Sequence, residues 1–445
     1  MNPRRRLVLV LAAAAAFAAW TPSLSGSFLK DDESNFVANP AVHDPSRWHE
    51  FFWRKASNSR DKELTVAYRP LATLSYAAQA RAVGLNPFFF HLADAAGHAA
   101  NAALVLLLAW ELTGSLPAAA AGAVLFALHP VQAESVAYVS GARPSVWSTF
   151  FCLLALLART RGRRGLSLGL FAAGALFKES ALALPLALAA WDRALTKKSL
   201  RVMARDLWPY FALAAAVAAT RSVVLVRTTD SGLFGGTLAS HAFFALTGLF
   251  TQVRSLLCPE RLSLYYTLPV PPDRGPALWG GVALAAVAGA LAWGAVRRRA
   301  WLAGLGWFCA FLLPTSNLVI PVATLANDRY LYSALAGLAL LAAHAAARLP
   351  RRWAWAPAAA LAAWLLPLAA ARQADWGSDF TIDLASHAAR PDAAASAVLA
   401  IDYFNWGMDA RADELVREGS PAGPRRRCAP TSAPSPPTSS ARESR

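Results

Sequence analysis

Apolar runs long enough, or nearly so, to cross a hydrocarbon core of about 30 Å recur from the N-terminus to about residue 371. About eleven spans are expected. They lie near 7–25, 88–111, 117–138, 144–159, 165–178, 180–193, 207–226, 278–296, 301–313, 329–347 and 353–371, and several are short enough to be tilted pairs. With 56% hydrophobic and only 16% charged residues, the chain carries too much apolar surface for a soluble domain. The fold class expected is therefore all-α, a polytopic membrane protein whose first partner is the lipid bilayer. The net charge of +16 fits cytoplasmic loops and lipid headgroups, and no nucleic-acid partner is expected. Cys152, Cys258 and Cys309 sit in apolar stretches without metal-ligand or disulfide spacing and read as packing residues. MNPRRR followed by LVLVLAAAAAFAAW resembles a signal peptide, but no convincing cleavage site follows, so the segment reads as a first anchor helix.

Lys and Arg counts set the orientation. Arg4 to Arg6, RTRGRR at 159–164, DRALTKKSLRVMAR at 192–205, Arg297 to Arg299 and RLPRR at 348–352 are the densest basic loops. All five fall on one face, with the N-terminus cytoplasmic, provided the segment at 240–257 does not cross; it is read as interfacial or re-entrant. The opposite face then receives a loop of about sixty residues (26–87), the HPVQAE turn, 227–277, the TSN and ANDRY region and the C-terminus. Residues 385–418 read as about one helix-turn-helix unit of TPR type, and PRRRCAPTSAPSPPTSSARESR reads as disordered. The expected organisation is a membrane domain at 1–372, a TPR-like helical segment at 373–420 and a disordered tail at 421–445.

The outer face collects chemistry. Asp31, Asp32 and Glu33 follow the first span, where neighbouring acids raise one another's pKa and could supply a general base; the plain alternative is a solvated acidic loop. Adjacent residues of an extended segment point to opposite sides, so one aspartate of the pair is expected to face a substrate. His91, Asp94, His98 and Asn101 fall within an arc of about 80° on a helix, a stripe suited to polar interhelical contact or, less commonly, to a metal. His129, Glu134 and Arg143 surround one turn between spans and Lys178 and Glu179 form another. Charges at such depth mark a site by default, with snorkelling and interhelical salt bridges as the alternative. Arg69 closes the first loop and Asp328 and Arg329 open a later span, which brings two arginines to the face that holds the aspartates. An arginine fork suits a phosphate and would stabilise it as a leaving group; a structural Asp328–Arg329 pair is the alternative.

Taken in series, FLKDDESNFVANPAV, YRPL, GLNPFFFHLADAAGHAANAAL, FALHPVQAESVAYVSGARP, LFKESALALPL and NDRYLYSAL resemble the TMTC family of transmembrane and TPR-repeat O-mannosyltransferases. The likeness covers most of 28–195 and 310–418, whereas 200–300 matches in hydropathy alone. It implies a GT-C fold, a catalytic acid in the first outer loop, a polyprenyl-phosphate sugar donor and a protein Ser/Thr acceptor, with inversion at the anomeric carbon. By this resemblance the base is Asp32 or Asp31. Arg329, Arg143 and Lys178 are candidates for the phosphate, and Glu179 and His129 for sugar or metal contacts. No metal ligand set is assigned, although a divalent cation is possible. Two departures stand out: HLAD replaces the family's usual His-Leu-x-Asn, and the TPR array is reduced to about one unit. The Ala/Leu/Arg-rich composition looks bacterial, which would place the site on the periplasmic face of an inner membrane. A transporter or lipid-linked-sugar flippase is the main competing class, although no inverted repeat is evident. A non-catalytic membrane scaffold is a third.

Overall fold

The computed structural model describes residues 3–54, 59, 67–225, 233–267, 274–322 and 324–419, and the tail at 421–445 lies outside them. Among the described residues there is no strand. Lipid cannot hydrogen-bond a backbone, so each apolar segment satisfies its own amides as a helix.

The chain begins with α1 (Pro3–Ala19), the short α2 (Pro40–His43), α3 (Pro70–Val83), α4 (Pro87–Thr113), α5 (Leu116–Leu128) and α6 (Val139–Thr160). It continues with α7 (Arg164–Phe177), α8 (Leu184–Leu195), α9 (Leu200–Val224), α10 (Leu238–Leu257), α11 (Arg274–Arg297) and α12 (Leu302–Leu312). The last elements are α13 (Tyr332–Ala346), α14 (Ala356–Asp375), α15 (Asp379–Ala389), α16 (Ala393–Asn405) and α17 (Asp409–Gly419). Among the described residues, α4, α6, α9, α11 and the stretch Arg351–Asp375 are each long and apolar enough to cross a membrane. Shorter apolar helices, α5, α7, α12 and α13, complete the bundle.

The core lies where α4, α5, α6, α8, α12 and α13 meet, with Phe126, Trp307 and Tyr332 fully buried. Packing between apolar helices in lipid depends on close backbone approach, and α12 and α13 achieve it with facing glycines. A Cβ on Gly304 would lie 2.7 Å from the Gly337 carbonyl oxygen, and one on Gly337 would lie 2.4 Å from the Phe308 nitrogen. By contrast, α9 buries only Met203, Leu207 and Tyr210, and α11 only Ala277, Gly280 and Gly294, so both present mostly apolar surface outward.

Three differences from the sequence expectation have physical causes. The span expected at 117–138 ends as helix at Leu128, because His129 precedes Pro130 and is held extended (φ −67°, ψ 127°). The first span stops at Ala19, where Pro22 starts a short turn and the Trp20 indole donates to the Ala127 carbonyl at 2.7 Å. The long loop expected at 26–87 is not all irregular, since α3 forms within it behind Pro70, which fits the first turn of a helix.

The ends of the helices sort into two faces. The basic loops gather on one of them. Arg298 donates to the carbonyls of Thr196 and Lys198, Arg164 to that of Asp206, Arg161 pairs with Glu111, and Arg5 lies over Trp110. The N-terminal ends of α4, α6, α8 and α13 and the C-terminal ends of α1, α5, α7, α9, α12 and α14 are on the other, and α3 lies along it, with Gln79 near its end donating to the Phe89 carbonyl at the start of α4. Both ends of α10 touch this second face: His241 bonds the Asn317 carbonyl at 2.8 Å, and the Leu256 carbonyl bonds His129 at 3.0 Å. α10 therefore lies across that face, as expected for 240–257.

Residues from Pro391 onward form a separate unit. Within it α16 and α17 make a helical hairpin, turned at Gly407, whose φ of 71° is left-handed, and closed by Gly419 against Ser396.

Candidate active site

The first long loop resolves which aspartate is exposed. Lys30 adopts a left-handed backbone (φ 48°), and the chain turns sharply between Leu29 and Asp32. Asp32 is swung inward and fully buried, where Oδ2 accepts the Leu29 N–H at 2.9 Å and Oδ1 the Ser140 N–H at 2.7 Å. Burial pushes its carboxyl up to about 7, against the pull of hydrogen bonds from Ser140 and Leu29. Asp31 is exposed, and its backbone N–H donates to the Tyr138 hydroxyl at 3.1 Å. Among the described residues no ion pair engages its carboxylate. Glu33, also exposed, starts a single wide turn over Glu33–Val37.

Facing this loop is a cluster built from helix ends. Arg69, just before α3, makes a two-pronged fork on Glu179 (3.0 and 2.8 Å), and Arg221 from the last turn of α9 reaches the same carboxylate at 3.4 Å. Although burial opposes it, Arg69 and Arg221 hold the Glu179 carboxyl well below the usual carboxylate range. Arg329 lies beside Glu134, with its backbone N–H 2.9 Å from Oε2 and its guanidinium 3.5 Å from Oε1. Lys178 donates to the Ser145 hydroxyl at 2.8 Å. Burial first, then Arg69, pushes the Lys178 amine down to about 7. These groups sense one another: Arg69 and Arg329 repel, Lys178 interacts with Glu134, and Arg329 is drawn to Asp31. Three arginines, Arg69, Arg221 and Arg329, together with the Lys178 amine thus surround two carboxylates, Glu134 and Glu179, and the surplus of positive charge suits an anion.

Asp328 sits one layer behind. It is buried, accepts from the Tyr266 hydroxyl and lies 3.8 Å from Arg372. Burial pushes its carboxyl up to about 7, with Arg372 opposing. It does not pair with its neighbour Arg329, which turns instead to Glu134.

Two of the residues expected at the site are elsewhere. Arg143 is buried and committed: its guanidinium donates to Asp94 Oδ1 at 2.6 Å, to Ser75 at 3.2 Å and to Gln79 at 2.7 Å. The carboxylate in HLAD is therefore matched by an internal cation joining α3, α4 and α6. His129 caps the turn after α5, accepting the Val131 N–H and bonding Leu256, so it is a structural residue in this geometry. Of the rest of the α4 stripe, His91 bonds the Ser27 carbonyl of the first loop at 3.3 Å, while His98 and Asn101 make interhelical contacts. His98 donates from Nε2 to the Ala127 carbonyl (3.1 Å) and pairs with the Tyr332 hydroxyl at Nδ1 (2.9 Å), while Asn101 donates to Val146 and Tyr332. Among the described residues no group of three or more His, Cys, Asp or Glu is arranged to hold a metal.

Sequence reasoning missed Arg221. The signal was present, because an arginine in the last turn of an apolar helix is costly unless it meets a partner.

No family model matches the sequence. Protein O-mannosyl-transferase TMTC1 from Mus musculus is 37% identical over 179 residues, which is 37% of this chain and 18% of that protein. Protein O-mannosyl-transferase Tmtc2 from Drosophila melanogaster is 31% identical over 195 residues, 40% of this chain and 20% of that one. The matches thus span about a fifth of the length of these curated relatives. Among solved structures, ArnT from Cupriavidus metallidurans bound to undecaprenyl phosphate aligns with 89% of this chain and 80% of its own, at 18% identity and a TM-score of 0.42. The curated relatives of this chain are TMTC protein O-mannosyl-transferases, similar to it over somewhat more than a third of its residues.

Proposed function

We propose that this chain is an inverting membrane glycosyltransferase of GT-C type, which moves a hexose, mannose by its relatives' names, from a polyprenyl phosphate to a hydroxyl of a protein acceptor on the outer, periplasmic face. The observation that carries the reading is the exposed Asp31 carboxylate beside a cluster with surplus positive charge. Asp31 takes the proton of the acceptor hydroxyl as its oxygen attacks the anomeric carbon. The bond from that carbon to the phosphate oxygen breaks, and the electron pair leaves with the phosphate. Arg329, Lys178 and Arg69 face the charge that develops there, where preorganised donors act most strongly. Glu179 and Glu134 hold those cations in place and Arg221 completes the ring. Asp32 supports the turn from beneath.

The test is transfer by the purified full chain from a radiolabelled polyprenyl-phosphate mannose to an acceptor protein extract. A labelled polypeptide is expected. Movement of the donor across vesicles with no covalent product would instead favour a transporter.

Lys178 adds a pH dependence. Its amine is pushed down to about 7 from an ordinary 10.5, so above pH 7 the empty site holds it mainly neutral. An incoming phosphate favours the charged form, so binding takes up a proton and weakens as pH rises past 7, by up to about tenfold per unit. Affinity for a polyprenyl phosphodiester, measured between pH 6 and 9, should show this slope, and Lys178→Arg should remove it. Parallel profiles for the two proteins would refute the assignment.

A further inference from the structure

We infer that Asp383 and Asp379 of α15 clamp Lys30 in its left-handed conformation, making Lys30 and Asp383 positioning residues that aim Asp31 at the substrate. The inference rests on reading Asp31 as the base.

Left-handed backbone is unfavourable for lysine, since its Cβ crowds the following carbonyl, so surrounding contacts must impose it. They come from more than three hundred residues away in sequence. The Lys30 N–H donates to Asp379 Oδ1 at 3.1 Å, and its ammonium lies 2.6 Å from Asp383 Oδ2 and 3.6 Å from Asp379. The Asp383 side chain is fully buried, and its other oxygen accepts from the Tyr265 hydroxyl at 2.9 Å. α15 is itself fixed at its start by a reciprocal cap between Ser378 and Thr381. Just ahead of that cap, the Gly377 carbonyl accepts from the backbone and the hydroxyl of Ser27. The first loop is thus fastened to α15 at Ser27 and at Lys30, on either side of buried Leu29.

The effect appears at the next two residues. With Lys30 reversed, Asp32 turns down onto the Leu29 and Ser140 amides while Asp31 emerges toward Tyr138 and Arg329. An apolar pair could have closed this contact at no cost to stability, so a buried carboxylate matched to a lysine is better explained by the conformation it enforces. A base displaced by about 1 Å loses about 100-fold in rate.

The full chain in detergent provides the test. Asp383→Asn is expected to lower kcat about 10- to 100-fold with donor KM unchanged within about twofold. Lys30→Gly, which accepts a positive φ freely, should retain about tenfold more kcat than Lys30→Ala. Once Lys30 is glycine there is no ammonium to hold, so adding Asp383→Asn should cost nothing further. A second readout does not depend on turnover: a spin label at Asp31→Cys, with Cys258 and Cys428 replaced by serine, should be immobile in the parent and mobile with Asp383→Asn. Equal loss of kcat from Asp383→Asn in the Lys30 and Lys30→Gly backgrounds, or a label equally immobile in both proteins, would overturn the clamp. If Asp31→Asn leaves transfer intact, the catalytic reading falls and the label alone decides whether the clamp exists.

Discussion

Asp31→Asn should lower kcat by about 10²- to 10⁴-fold, the range a general base contributes, and leave the amount of folded protein unchanged. Asp31 is exposed and its carboxylate is not needed to close the loop, because only its backbone N–H meets Tyr138. Asp32→Asn should behave in the opposite way. An asparagine there has one oxygen for two backbone N–H groups, so its amide nitrogen must face either Leu29 or Ser140, a buried mismatch costing about 1–3 kcal/mol. Comparison of single-turnover transfer with thermal unfolding in the same detergent separates the two. Normal turnover in Asp31→Asn with collapse confined to Asp32→Asn would reverse the roles assigned to them.

Arg143→Met should be the most destabilising single change within the membrane domain. It leaves Asp94, wholly buried, without the cation that it meets at 2.6 Å, and removing one partner of such a pair costs about 3–5 kcal/mol. For a domain of this size that is a fall in Tm of roughly 5 °C. Replacing both partners, as Arg143→Met with Asp94→Leu, should recover most of the loss, since an apolar pair of similar volume avoids the uncompensated charge. A shift below about 2 °C in Arg143→Met would mean that Asp94 is held by something other than this guanidinium.

Much of this architecture could be read from residues 7–371 because apolar length and loop charge act locally. The presence of long apolar helices and the common face of the basic loops follow from them, as does an interfacial or re-entrant reading of 240–257, whereas the ends of the spans at 7–25 and 117–138 do not. The candidate cluster was legible in part, because costly charges at helix ends, Arg69, Lys178, Glu179, Glu134 and Arg329, mark themselves. What stayed hidden depends on long-range partners. Nothing in FLKDDES distinguishes Asp31 from Asp32, because the choice is made by a lysine backbone held from α15. Arg143 looks as available as Arg329 until Asp94, Ser75 and Gln79 converge on it. α3 was missed because PLATLSYAAQARAV has neither the length nor the apolar content of a span, and its helicity depends on burying Tyr76 and Ala77.

The sparse packing of α9 has a consequence for how the proposed donor would arrive. Past Tyr210 this helix has no fully buried residue, yet Arg221, near its end, reaches the Glu179 carboxylate of the cationic cluster. The side of the cationic cluster that α9 borders is therefore thinly packed. On the function proposed above, a carrier would slide its phosphate in sideways while its isoprenoid tail remained dissolved in the leaflet, so that loading would not require the tail to meet water.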